Sequence, residues 1–327
     1  MNKTNYSLPE EAAEMTLQQV RQLRRIEQQL RDIFGNSSYQ EVIPPSFEYT
    51  KLYTELQHKD SQFNQEKIFQ FINHEGRTIS LRYDFTIPLA RTYAQNNKSG
   101  VSRYSYFGKV FRKEKRHKGR RTEAYQIGVE RFGGDSQTAE REIFQLALET
   151  TSQLGLDKII WEIGSASFFY QLYRLVGEAP EFTEILSKKN LSGMIEFIEI
   201  HKFSPALNQL LKHLLIKNDL ESLSDLVEAT TDPLLISAFK ELEQRVQEIS
   251  IQSRVQIDLA MVPSMDYYTG LMFSAYCEAV SQPILSGGRY DQLLAHFGEN
   301  TVAIGFCCHL DNVLKALENQ EIEVKND

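Results

Sequence analysis

A chain of 327 residues that is 41% hydrophobic and 24% charged has an ordinary folded composition. Disordered and fibrous classes are excluded, and the length suits one large domain with an elaboration, or two modest domains. The net charge of −8 repels polyanions at long range and gives no support to a broad nucleic-acid-binding surface. No apolar run approaches the roughly 20 residues that span a bilayer. The amino terminus, MNKTNYSLPEEAAEM, lacks the basic region and apolar stretch of a secretory signal, so a cytoplasmic protein without membrane contact is expected.

Taken in chain order, Leu17, Val20, Leu23, Ile26, Leu30 and Ile33 recur every three or four residues. They predict an amphipathic helix over Thr16 to Phe34, stopped by Gly35. A short strand, Glu41 to Ile43, precedes Pro44 and Pro45. Lys67 to Ile72 and Thr78 to Tyr83 read as paired strands around the polar turn Asn73-His74-Glu75-Gly76. Longer strands are expected at Arg103 to Arg112 and Glu123 to Phe132, then a helix at Gln137 to Leu154 and a strand at Lys158 to Ile163. From about Pro180 to Ser250 nearly everything is helix-like. Strands return at Val255 to Met261, Gly270 to Val280, Pro283 to Ser286 and Thr301 to Cys308, and Asp311 begins a short closing helix. Strands before and after a helical block imply an α+β core, 1–178 and 251–327, interrupted by a helical insertion, 179–250.

Three cysteines, Cys277, Cys307 and Cys308, have no CxxC spacing, which argues against a disulfide framework and a structural zinc site. In the run VAIGFCCHL, strand alternation would send the two adjacent thiols to opposite faces, with core packing as their expected role.

Two regions carry residues suited to ligand chemistry. The run FRKEKRHKGRR, Phe111 to Arg121, places Arg112, Lys113, Lys115, Arg116, Lys118, Arg120 and Arg121 around one glycine. Such donors can clamp phosphates, because arginine offers a bidentate fork and lysine a point charge. Taken alone, the run also fits a solvated hairpin tip. After it, Glu123, Tyr125, Gln126 and Glu130 sit on a strand that projects every second residue to one face. Upstream, Leu81-Arg82-Tyr83-Asp84-Phe85-Thr86 ends a strand with a carboxylate and a hydroxyl able to receive an ammonium group.

Five fragments in one order complete the pattern: YxEVxPPxFE at Tyr39 to Glu48, LRxDxT at Leu81 to Thr86, FRxE with GRxxExxQ at Phe111 to Gln126, DYYTG at Asp266 to Gly270, and GGRYD at Gly287 to Asp291. Each is weak alone, but together over about 250 residues they resemble class II histidyl-tRNA synthetase. The resemblance implies an antiparallel sheet flanked by helices and a dimer formed through the first fragment. It also implies that Asp84, Thr86 and Gln126 hold an amino acid's ammonium group, that Glu130 and Tyr268, beside Tyr267, meet an imidazole, and that Arg112 orients the carboxylate. These roles fit the donors and acceptors each side chain offers.

Two departures redirect the functional expectation. Where the synthetase pattern reads RGLDYYTG, the first residue here is Pro263, and where it reads GFAxGLERL, this sequence has GFCCHLDNV, placing Asp311-Asn312 at Glu-Arg. Adenylate formation needs fixed cations at the phosphate, and removing one such donor typically costs on the order of a hundredfold to a thousandfold. The synthetase also continues for roughly a hundred residues as an anticodon-reading domain, whereas this sequence ends fifteen positions after Asn312. The whole is similar to the regulatory subunits of ATP phosphoribosyltransferase. That resemblance implies a short-form catalytic subunit as partner, L-histidine as effector, a self-dimer within a hetero-oligomer, and no cofactor, metal, catalytic residue or transfer RNA. A non-catalytic histidine pocket can act as a sensor if histidine binds two states unequally. The alternative is a histidine-adenylating ligase acting on another acceptor, with Arg120 or Arg121 replacing the lost cations.

Overall fold

The computed structural model describes residues 8, 12–55, 65–96, 100–113, 122–216, 220–249, 254–265 and 267–326, with side chains through 320. The chain runs α1 (Leu17–Asn36), β1 (Gln40–Glu41), β2 (Phe47–Tyr49), α2 (Lys51–Thr54), β3 (Gln70–Ile72), β4 (Thr78–Leu81), α3 (Thr86–Asn96), β5 (Ser102–Phe111), β6 (Glu123–Phe132), α4 (Ser136–Ser152), β7 (Ile160–Ser165) and α5 (Ala166–Leu175). Five helices follow: α6 (Pro180–Ser187), α7 (Leu191–His201), α8 (Pro205–Leu214), α9 (Leu220–Ala229) and α10 (Pro233–Glu248). The chain then returns to strands with β8 (Arg254–Ile257), β9 (Leu271–Cys277), β10 (Val280–Arg289), α11 (Asp291–Ala295), β11 (Ala303–His309) and α12 (Leu310–Asn326).

The main sheet has eight strands in the order β1-β5-β6-β11-β10-β9-β7-β8, and β2-β4-β3 form a small second sheet. The six central strands pair antiparallel, as expected. Both edge pairs, β1 with β5 and β7 with β8, are parallel, so the sheet is mixed. Ile160 to Ile163 and Arg254 to Ile257 are joined through the whole helical block, the long crossover that parallel neighbours require.

Strand alternation divides the sheet into two unlike faces. One carries Ile127 and Val129, Ile304, Phe306 and Cys308, Leu285, Phe273 and Ala275, and Trp161 and Ile163. These are buried in the main core with Leu23, Ile26, Leu30 and Phe34 of α1, Ile143, Phe144 and Ala147 of α4, and Leu310 and Val313 of α12. Phe144 lies edge-on to Phe273 with ring centroids 5.3 Å apart. The same core continues into the helical block, where Phe168 of α5 meets Phe239 of α10 at 6.2 Å. The other face carries Tyr106, Val110 and Phe132, packed with Phe85, Ile87, Leu89 and Tyr93 around α3 and with Tyr290, Leu293 and Leu294 around α11.

Several elements differ from the sequence reading. Helix α1 starts at Leu17, and Thr16, read as its first residue, is its N-cap, Thr16 Oγ1 accepting from Gln19 N and Gln19 Oε1 from Thr16 N. It runs through Gly35 to Asn36, and Ser38 (φ 65°) makes the left-handed turn instead. The cap places Leu17 and Val20 outside the core: they are exposed, and burial begins at Leu23. Strand β4 ends at Leu81, so Asp84 lies in a connection and Thr86 opens α3, a helix that the sequence pattern does not predict. Strand β10 extends through Gly287, Gly288 and Arg289. Among the described residues, no helix is long and apolar enough to cross a membrane.

Candidate functional site

The α3 face of the sheet has little side-chain relief at its centre because five of its positions are glycine: Gly108 on β5, Gly128 on β6, Gly305 on β11, Gly288 on β10 and Gly164 on β7, with Gly305 and Gly288 directly opposite each other. At three of them a Cβ would collide with the residues that build the site. One on Gly305 would lie 1.8 Å from Glu130 Oε2, one on Gly128 2.4 Å from the Tyr106 hydroxyl, and one on Gly288 2.8 Å from the Tyr268 ring. The second glycine of GGRYD therefore clears a floor for Tyr268. The first lies on the opposite face, where a Cβ would meet the Phe273 ring at 2.5 Å.

Glu130 rises from this floor on β6 and is 2% exposed. The Thr86 hydroxyl donates to its Oε1 at 2.7 Å, and the Tyr290 hydroxyl donates to its Oε2. Those two donors favour the carboxylate, but burial outweighs them and pushes the group up to about 8. Asp84 is 4% exposed. Its Oδ1 accepts the Ile87 amide at 3.1 Å in the first turn of α3, and its buried Oδ2 has no hydrogen-bond partner among the described residues. Burial pushes Asp84 up to about 6, against the opposing pull of the Ile87 amide and of Arg112.

The remaining predicted residues fall around these carboxyls. Gln126 is buried on the same face of β6, four residues before Glu130. Tyr267 stands edge-on to Tyr290 at 5.6 Å, near Thr86. The Tyr268 hydroxyl lies near Ser264, and burial beside Glu130 raises it well above an ordinary phenol. Arg112 donates Nε to the Tyr83 carbonyl at 3.0 Å and lays its guanidinium 4.6 Å from the Tyr83 ring centre, which orients it beside Asp84. Of the basic run, Lys113 is exposed, with its ammonium 5.6 Å from the Phe69 ring centre. Lys115, Arg116, Lys118, Arg120 and Arg121 lie outside the described residues, as does Asp266.

Sequence reasoning missed Tyr290, although GGRYD contains it. It also missed the structural role of Arg82, whose guanidinium donates to the carbonyls of Pro44, Pro45 and Lys109 and stacks on Phe85, and so holds the Asp84 connection against the sheet. Cys307 and Cys308 do alternate. Only Cys308 is core, and Cys307 faces the site with His309 and Ser286, correcting the expectation that both pack inside.

Chemically, two buried carboxyls, one with an unpartnered oxygen, suit a ligand that brings a cation and hydrogen-bond donors, such as an amino group or an imidazole. The site is poorer in fixed positive charge. Pro263 is buried and uncharged, and the Asn312 amide donates to the Pro283 carbonyl at 2.8 Å, tying α12 to β10. Asp311 accepts the Tyr125 amide at 2.9 Å. Among the described residues, no three side chains are grouped to hold a metal ion.

The family model described as histidyl-tRNA synthetase matches residues 11–313. The ATP phosphoribosyltransferase regulatory subunit of Lactococcus lactis subsp. lactis (strain IL1403) is 58% identical over 328 residues, covering all of both chains. The chain belongs to the ATP phosphoribosyltransferase regulatory subunit family. The family relation extends to the regulatory subunit of Ruminiclostridium cellulolyticum, 30% identical over 97% of this chain and 78% of that one. A solved ATP phosphoribosyltransferase regulatory subunit/histidyl-tRNA synthetase from Bacillus halodurans superposes with a TM-score of 0.84 at 25% identity, covering 96% of this chain and 83% of its own. Histidyl-tRNA synthetase from Nostoc shares the fold, with a TM-score of 0.76 at 18% identity over 99% of this chain and 77% of its own. The class II synthetase-like α+β architecture is thus the scaffold of this regulatory-subunit family.

Proposed function

We propose that this chain is the non-catalytic regulatory subunit of an ATP phosphoribosyltransferase. It assembles with a short-form catalytic subunit and supports the joining of ATP and phosphoribosyl diphosphate to give phosphoribosyl-ATP, the first step of histidine biosynthesis. The observation that carries this reading is the full-length 58% identity to a regulatory subunit of that name. The site agrees with it: acceptors for an amine and an imidazole are kept, while Pro263 and Asn312 stand where adenylate chemistry needs cations.

In this reading L-histidine is the effector and binds against Asp84, Thr86, Gln126, Glu130, Tyr267 and Tyr268, with Arg112 toward its carboxylate. Residues 1–178 and 251–327 form the synthetase-like core and 179–250 an insertion. The basic residues Lys113, Lys115, Arg116, Lys118, Arg120 and Arg121 contact a phosphate or the catalytic partner. The chain dimerises through the first fragment, Tyr39 to Glu48, where Ile43 and Phe47 are exposed.

The reading is tested by co-elution with the short-form catalytic subunit from the same source, alongside histidine-dependent exchange of pyrophosphate into ATP. Stable co-elution with exchange no higher than a buffer blank is expected. Exchange above the blank without co-elution would replace the regulatory reading with the ligase.

A further inference from the structure

A row of charged side chains outside the site runs from the helical block to the wall of the pocket. Arg245 of α10 is 14% exposed at its side chain, and its Nε approaches Glu140 Oε2 of α4 to 2.6 Å. Glu140 is almost fully buried, and its Oε1 meets Arg289 Nη1 of β10 at 3.4 Å. Arg289 also grips Asp291 through Nε at 2.8 Å and Nη2 at 2.6 Å. Asp291 Oδ1 in turn accepts the Ala303 amide of β11 at 2.9 Å.

Tyr290 is the residue between the two ends of that grip. Its own amide donates to the Ala303 carbonyl at 2.7 Å, its ring is 2% exposed, and its hydroxyl holds Glu130. Arg289 points to the helix-covered face of the sheet and Tyr290 to the pocket, so the cluster and the pocket share one stretch of backbone. Glu140 is buried between two partly buried guanidiniums and meets Arg245 as an ion pair rather than a hydrogen bond; such a cluster is costly unless its charges stay paired, and removing one member leaves the others to rearrange. Thr269, whose amide donates to the Arg289 carbonyl at 2.8 Å, lies next to Tyr268 and carries the same restraint to the other side of the pocket.

We propose that Arg245 is a remote positioning residue for the pocket: through Glu140 and Arg289 it fixes Tyr290, and thereby Glu130, so that the helical block and the ligand pocket are energetically coupled. The ligand in this inference rests on the histidine reading above. The coupling itself rests on the geometry of the cluster.

The test combines R245Q, R245K and Y290F with the R245Q/Y290F double variant in the full-length chain. The first readout is the L-histidine dissociation constant by calorimetry. R245Q should weaken binding about threefold to tenfold, R245K should restore most of it, and R245Q should add nothing in the Y290F background. The second readout needs no ligand: the pH dependence of unfolding stability of each chain relative to the same chain carrying E130Q, which isolates the titration of Glu130. Besides Thr86 and Tyr290, the groups facing Glu130 among the described residues are Tyr106, Tyr267, Tyr268, Asp84 and Cys307, and they are unchanged among these variants. R245Q should raise the midpoint of that titration by loosening the Tyr290 donor, and R245K should not. An equal effect of R245Q with and without the Y290F substitution, or an unmoved midpoint, would overturn the proposal. If the unsubstituted chain binds no histidine, the ligand reading fails, and the midpoint alone decides the coupling.

Discussion

The two faces of the central sheet are made from the same strands, residue by residue, yet serve opposite ends. On β6, Ile127 and Val129 point to the helices and are fully buried among apolar neighbours, while Gln126, Gly128 and Glu130 point to the pocket. On β11, Phe306 and Cys308 are core, while Gly305 and Cys307 line the site. The helix-covered face gains stability by close packing. The pocket face gives stability up: it strips side chains to glycine and buries two carboxyls that water would hold ionised. A period of two thus lets one sheet hold both a core and the floor of the candidate site.

The largest expected effect breaks the helix-covered face. Phe273→Ala removes a ring wedged between Phe144 and Trp161 and should cost about 3–5 kcal/mol in urea denaturation, weakening ligand binding only through loss of folded protein. On the pocket face, Gly305→Ala puts a methyl group where Glu130 Oε2 now lies. It should cost about 1–3 kcal/mol and, unlike Phe273→Ala, should abolish histidine binding by the fraction that remains folded, measured by calorimetry.

Asp84→Asn should leave the fold nearly unchanged, since burial already opposes the charge, yet weaken histidine affinity about tenfold to a hundredfold, the worth of about 1.5–3 kcal/mol for a hydrogen bond to a charged group. The pH dependence sharpens the contrast. The folded-state value for Glu130 is about 8, above an ordinary 4.5. Its contribution to stability is therefore fully present below about 4.5 and is lost as pH rises toward 8. Measured against Glu130→Gln, the unsubstituted chain should lose stability through that window, and measured against Asp84→Asn it should show a smaller loss between 3.8 and about 6. The smallest effect compares adjacent cysteines. Cys308→Ser places a hydroxyl in the core and should cost about 1–2 kcal/mol, whereas Cys307→Ser, on the open face, should shift stability by less than about 0.5 kcal/mol.

Much of this is legible without coordinates. The alternation over Glu123 to Phe132 places Gln126 and Glu130 together, and the order of five fragments leads to the architecture. What the sequence hides depends on contacts distant along the chain. Tyr290 gains its role from a carboxylate 160 positions earlier, which no local pattern reports. Gly35 reads as a helix stop because glycine costs roughly 1 kcal/mol in a helix, but the burial of Phe34 and the Tyr39 amide donating to the Phe34 carbonyl carry the helix past it. Gly287 and Gly288 interrupt a strand pattern, and only the Phe273 and Tyr268 rings lying against them explain why glycine belongs there. Arg82 looks like part of a ligand motif and proves to be a brace, because its three acceptors are backbone carbonyls that sequence does not distinguish.

The central claim is that a synthetase-like pocket has been kept to sense rather than to activate. Its most direct test is phosphoribosyl-ATP formation by the short-form catalytic subunit from the same source, with and without this chain, across a histidine titration, repeated with Asp84→Asn. The account predicts that full turnover requires the chain and that Asp84→Asn shifts histidine inhibition to higher concentration while sparing turnover. Turnover and inhibition that are the same whether the chain is present or absent would contradict it.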